Sequence, residues 1–131
     1  MPNRREPITA VGAPAAVGPY SQAVASNGFL FCSGQIPLDP ESGEVVGTTP
    51  ADQARQCLDN LTAVCAAAGA VLGDAVRLTV YMTDIGAFAE VNEVYESYFA
   101  ADPPARAAVG VAALPKGVQV EIDAIVAMPD A

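Results

Sequence analysis

The chain has 131 residues, of which 52% are hydrophobic, and six Lys and Arg against fifteen Asp and Glu give a net charge of −9. This length and apolar content predict one compact domain, residues 1–131, with a core large enough to fold alone. The acidity disfavours phosphate backbones and anionic membranes as partners, and the lack of histidine excludes Ser-His or Cys-His nucleophile pairs and imidazole metal sites within one chain.

In chain order, the polar stretch MPNRREP, residues 1–7, reads as a frayed tail ending at Pro7. In YSQAVASNGFLFCSG, Asn27-Gly28 favours positive φ at both central turn positions, so Tyr20 to Ser26 and Phe29 to Ser33 are expected to pair as a hairpin. The segment IPLDPESGEVVG reads as a loop with a second tight turn at Ser42-Gly43. A helix is predicted next, with Thr49 as N-cap, Pro50 at its first position, Asp52 in the first turn and Gly69 beyond its end. Its apolar positions Ala54, Leu58, Leu61, Cys65 and Ala68 share one face, which makes Cys57 and Cys65 core or near-core residues.

In AVRLTVYMTD, Val76, Leu78, Val80 and Met82 alternate with Arg77, Thr79 and Tyr81, the pattern of a strand with two unlike faces. Asp84 is expected to cap a second helix over about 87–99, with Phe88, Val91, Tyr95 and Phe99 inward and Asn92 on or beside that face. Extended segments follow at Ala107 to Ala112 and, after the LPKG turn, at Val118 to Met128. The order β-β-α-β-α-β-β indicates an α+β domain, one mixed sheet with both helices on a single face. The other face must then be polar or closed by another subunit, and the many small apolar residues favour a subunit.

Cys32, Cys57 and Cys65 form no Cys-x-x-Cys pattern, and an odd count with no signal peptide is expected of a protein of the reducing cytoplasm. No stretch approaches the roughly 18 apolar residues of a membrane span. Four polar residues are unusual for a pure scaffold: Tyr20 after Gly18-Pro19, Asn92 on a helix's apolar face, Arg106 entering a strand, and Glu121 inside one. Arg106 and Glu121 are able to pair structurally across neighbouring strands, or the four are able to form a pocket for a small anion. The fork of an arginine suits a carboxylate, and a glutamate within reach positions or activates a water. Without histidine or a redox motif, hydrolysis of an already reactive substrate, with no metal and no cofactor, is the plausible chemistry. Lys116, in a Pro-Lys-Gly turn, is a poor candidate for a Schiff base.

The stretches GPYSQA (18–23), SGQIPLDPESGE (33–44), QARQCLDNL (53–61), FAEVNEVYESYF (88–99) and PARAAVGVAALPKGVQVEIDAIV (104–126) resemble the reactive-intermediate deaminase (RidA, or YjgF) family over nearly the whole chain. The resemblance implies a homotrimer of chorismate-mutase-like subunits with a pocket at each subunit boundary. It implies hydrolysis of 2-aminoacrylate and related 2-imino acids, products of pyridoxal-phosphate enzymes, to 2-keto acids and ammonia. By the same resemblance Arg106 grips the substrate carboxylate and Glu121 holds the water near the imine carbon. Tyr20, Ser33, Gly34, Asn92 and Ala108 line the pocket. Many relatives carry cysteine where this chain has Ala108, which argues against a thiol mechanism. The rival readings are an endoribonuclease, disfavoured by the acidity and the lack of a basic stripe; a non-catalytic metabolite-binding regulator or chaperone-like trimer; and a deaminase of a larger enamine.

Overall fold

Asn27 and Gly28 both adopt positive φ, 52° and 83°, the two left-handed residues that a two-residue hairpin turn requires. They join β2 (Ala23–Ser26) to β3 (Phe29–Gln35), which pair antiparallel. The structure is a computed structural model and describes residues 4–129. The remaining elements are β1 (Glu6–Ile8), α1 (Pro50–Ala67), β4 (Ala75–Met82), α2 (Phe88–Tyr98), β5 (Ala105–Gly110) and β6 (Val120–Ala127).

Among the described residues, one sheet holds six strands, in the order β1-β2-β3-β6-β4-β5. β6 lies antiparallel between β3 and β4, whereas β5 pairs parallel with β4, so the sheet is mixed. The last strand in sequence is therefore central, and its alternation is the sharpest in the chain. Val120, Ile122, Ala124 and Val126 are buried beneath the helices, and Glu121, Asp123 and Ile125 occupy the opposite face.

Helix α1 begins as the sequence predicts: the Thr49 hydroxyl accepts the Asp52 N–H at 3.1 Å with Pro50 at the first position. It ends where Gly69 turns to φ 77° and the Ala70 N–H reaches back to the Cys65 carbonyl at 2.9 Å. Ala54, Cys57, Leu58, Leu61, Val64 and Cys65 are buried against β6, β3 and α2. In α2, Val91, Val94 and Tyr95 are buried, with Phe99 just beyond.

Four local expectations are corrected. Glu6–Ile8 is not frayed: it pairs with Ala23–Ala25 as an edge strand, where Pro7 is tolerated because an edge strand leaves half its N–H groups unpaired. Val76 does not face the core, since the β4–β6 register shifts between Ala75 and Arg77 and leaves it 41% exposed. Asp84 caps a 3₁₀ turn, Ile85–Ala87, through the Gly86 N–H at 2.9 Å, and α2 starts only after it. The last two strands begin and end one or two residues away from their expected limits.

Both helices cover one face. The other presents Val24, Phe29, Phe31, Thr79, Tyr81, Glu121, Asp123 and Ile125, with Phe31 still 45% exposed. Among the described residues, no helix is long and apolar enough to cross a membrane.

Candidate functional site

The sheet breaks its regularity next to Glu121. Cys32 pairs with Ala124 but Gln35 pairs with Ile122, so Ser33 and Gly34 together stand opposite Asp123, a β-bulge. The bulge brings the Gly34 backbone onto the Glu121 side chain. A Cβ at Gly34 would lie 2.9 Å from the Glu121 carboxyl carbon and 3.2 Å from its Cγ, so only glycine fits without displacement. The Ser33 hydroxyl donates to the Ser21 carbonyl at 2.6 Å, fixing the bulge to the preceding loop. Tyr20 follows Gly18, whose φ is 117°, and its hydroxyl accepts the Val17 N–H at 3.4 Å. Tyr20, Ser33, Gly34 and Glu121 line one cavity of about 510 Å³, walled on its apolar side by Val17, Ile36 and Leu38 and reached by Lys116.

Glu121 is half-buried there. Loss of water first, and the nearby Asp123 carboxylate second, raise its pKa above the ordinary glutamate value.

A second group forms around Arg106 at the far edge of the sheet. Arg106 pairs with Leu78, so its side chain leaves β5 on the helix-covered side. Its guanidinium carbon stands 4.8 Å from the Tyr95 ring centre and 5.2 Å from that of Phe88, and a guanidinium N–H donates to Asn92 Oδ1 at 2.6 Å. Asn92 in turn donates to Glu96 at 3.3 Å. Phe88, Asn92 and Tyr95, spaced four and three residues apart, share one strip of α2, which is why all three reach the same guanidinium. Ala108 lies two residues further along β5 on the same side, partly buried and paired with Val80.

Two rings and an amide fix the arginine without neutralising it. Among the described residues, the ion pair present is Arg55 with Asp52 at 3.2 Å, and no carboxylate pairs with Arg106. The Tyr95 hydroxyl is buried with no hydrogen-bond partner; burial raises its pKa and the Arg106 charge opposes that rise.

The alternative of a structural cross-strand pair between Arg106 and Glu121 does not occur. β4 separates β5 from β6, and the two side chains leave the sheet on opposite faces. The predicted residues are therefore divided: Tyr20, Ser33, Gly34 and Glu121 are brought together on one side, Asn92, Arg106 and Ala108 on the other. Phe88 and Tyr95, core residues by their sequence pattern, also face the Arg106 guanidinium, a role that their spacing around Asn92 signals only as a shared face. The Ser33-Gly34 bulge and the position of Lys116 at the cavity left no local signal.

The sequence pattern of the family described as Endoribonuclease L-PSP matches residues 11–128. The mouse protein named 2-iminobutanoate/2-iminopropanoate deaminase is 47% identical, over 92% of this chain and 90% of its own. The crystal structure of RidA from the Antarctic bacterium Psychrobacter is 46% identical and superposes with a TM-score of 0.90, over 94% of this chain and 99% of that one. Escherichia coli TdcF, crystallised with bound serine, is 42% identical with a TM-score of 0.89, over 95% of this chain and 99% of that one.

Proposed function

Because the chain belongs to the Endoribonuclease L-PSP family, which includes the RidA proteins, we propose that it is an imine deaminase hydrolysing 2-aminoacrylate and related 2-imino acids to 2-keto acids and ammonia. The mouse relative's name supports this reaction, and serine bound to TdcF supports a small carboxylate ligand. The observation that carries the reading is Arg106, set over the rings of Phe88 and Tyr95 and tethered by Asn92, with no carboxylate of its own. Such a guanidinium is a ready partner for an incoming carboxylate, which its planar fork suits.

The complete site needs more than one copy. Arg106 and Glu121 face opposite sides of one sheet, so a substrate held by both sits between subunits, with Arg106 from one copy and Glu121 from another. A homotrimer closed over the partly apolar open face satisfies this and shields Phe29 and Phe31. The carboxylate then docks on Arg106, and Tyr20, Ser33, the Gly34 backbone, Asn92 and Ala108 line the pocket.

In the reaction, Glu121 takes a proton from water as the oxygen bonds to the imine carbon and the C=N electron pair moves to nitrogen. The proton passes to that nitrogen, the C–N bond breaks, and the carbonyl forms as the hydroxyl proton leaves with ammonia. Free imines already react with water, so the site is required to lower the barrier by only a few kcal/mol, about 1.4 per tenfold in rate. Fixing the carboxylate and the water relative to one another supplies that order of effect.

The endoribonuclease description of the family fits this chain poorly, because a net charge of −9 repels RNA and no histidine is present for general acid–base cleavage. The test generates imines with an amino-acid oxidase and traps whatever remains with semicarbazide. Wild type is expected to suppress trapping and Arg106→Ala to permit it. Failure of the wild type to suppress trapping, while a 2-keto acid still raises its melting temperature, would favour a metabolite-binding regulator.

A further inference from the structure

On the open face of the sheet, Tyr81 and Glu121 are directly opposed across the β4–β6 pair, and Asp123 lies two residues beyond Glu121 on the same side. The Tyr81 hydroxyl does not turn to Glu121; it reaches diagonally and donates to Asp123 Oδ2 at 2.9 Å. The two carboxylate-bearing residues thus stand about 6–7 Å apart at their Cα atoms on one face of the strand, and the outer carboxylate is pinned by a phenol. The Gly34 backbone, pressed against Glu121 from β3, leaves that glutamate little room to turn away from its neighbour.

We infer that Asp123 and Tyr81 are positioning residues for the hydrolysis: the Tyr81 hydroxyl fixes a second carboxylate beside Glu121, and that negative neighbour makes Glu121 a better base toward the attacking water. The inference rests on the reading of Glu121 as the residue that holds this water. In the first step the water O–H proton passes to Glu121 as the C–O bond forms, and Glu121 later returns it to the departing nitrogen. A carboxylate too weak in basicity takes the proton poorly; one titrating nearer to neutrality both takes and returns it.

Of the other charged or titratable groups around Glu121, the Arg106 that the proposed assembly brings from another copy acts in the opposite sense, as a cation that favours the charged carboxylate, and those of the same copy do not substitute for Asp123. On β4, Arg77 projects from the open face further along the strand, opposite Ile125. Lys116 and Tyr20 line the cavity wall. From α1 the buried Cys57 thiol donates to the Val120 carbonyl at 3.6 Å beneath the sheet, and burial followed by the Glu121 charge raises its pKa, so it stays neutral. β3 offers only Ser33 and Gly34. Among the described residues, Asp123 is the carboxylate whose charge raises the Glu121 pKa, after burial. The Tyr81 pKa is itself raised, by burial first and by its bond to Asp123, so the phenol keeps the proton it donates.

The experiment follows Glu121 directly by carboxylate carbon NMR titration of the intact protein, with Glu121→Gln identifying its signal, alongside pH profiles of kcat and KM on an alanine-derived imine. In Asp123→Asn the Glu121 midpoint is expected to fall toward the ordinary value of about 4.3. The acid limb of kcat should move with it, the plateau of kcat should drop several-fold, and KM should stay unchanged. Tyr81→Phe, which removes one oxygen, should give the same shifts at smaller size, and Asp123→Glu should restore the wild-type profile. If Asp123→Asn fails to fold, Tyr81→Phe decides the matter alone. An active wild type whose Glu121 midpoint and acid limb do not move in folded variants overturns this inference and leaves the deaminase reading standing. A wild type that hydrolyses no imine overturns both.

Discussion

Arg106 and Glu121 occupy opposite faces of one sheet, with a full strand between theirs. Each is held by its own neighbours: Arg106 by Phe88, Asn92 and Tyr95 on α2, Glu121 by the Ser33-Gly34 bulge. A reaction that uses both must draw them from different copies of the chain.

That requirement gives a complementation test. Arg106→Ala and Glu121→Gln are each expected to be inactive alone. Unfolded together and refolded, they should regain roughly a quarter of wild-type activity if the proposed homotrimer forms, because random assembly then leaves one intact boundary in each mixed trimer. Activity no greater than that of the separate variants would mean that the boundary does not combine the two residues.

Arg106→Lys keeps the charge but loses the planar fork. We expect kcat/KM to fall at least tenfold, since a charge-assisted hydrogen bond contributes about 1.5–3 kcal/mol. Loss of stacking on the two rings should cost folding stability only about 1 kcal/mol. Steady-state kinetics together with a urea titration separate these effects.

Gly34→Ala pushes a methyl group into the Glu121 carboxylate. Overpacking of this kind costs about 1–3 kcal/mol, and the displaced glutamate should lower kcat more than it raises KM. A variant with wild-type kcat would show that Glu121 moves aside without consequence and is not the water-holding group.

Tyr95 offers the opposite sign. Its hydroxyl is buried and unpartnered while its ring stacks on Arg106. Tyr95→Phe removes the unsatisfied group and keeps the ring, so the variant should be as stable as wild type or more so, by up to about 1–3 kcal/mol, with activity retained. Tyr95→Leu removes the ring and should lose substrate affinity. Thermal melts and KM values for both variants check this.

The raised Glu121 pKa also has a sign in stability. The folded chain binds this proton more tightly than the unfolded chain, so the charge opposes folding above the folded midpoint, and the penalty disappears as pH falls below the unfolded value of about 4.3. Glu121→Gln should therefore melt above wild type near pH 7, with the difference shrinking toward pH 4. Equal melting temperatures at both pH values would remove the electrostatic penalty.

What the sequence determined by itself was local. Asn27-Gly28 fixed the hairpin because few other pairs adopt two left-handed conformations, and Thr49-Pro50 with Gly69 fixed both ends of α1 because helix termini need partners for their free backbone groups. The alternation from Val120 to Val126 marked a strand with one buried face, and the RidA resemblance named the candidate site residues. Only the tertiary structure decided that the last strand is central, that Pro7 belongs to an edge strand and that Ser33-Gly34 is a bulge against Glu121. It alone set Arg106 and Glu121 on different faces. Strand order and register are fixed by which apolar sets bury one another across long stretches of chain, and a residue's immediate neighbours carry no record of that choice.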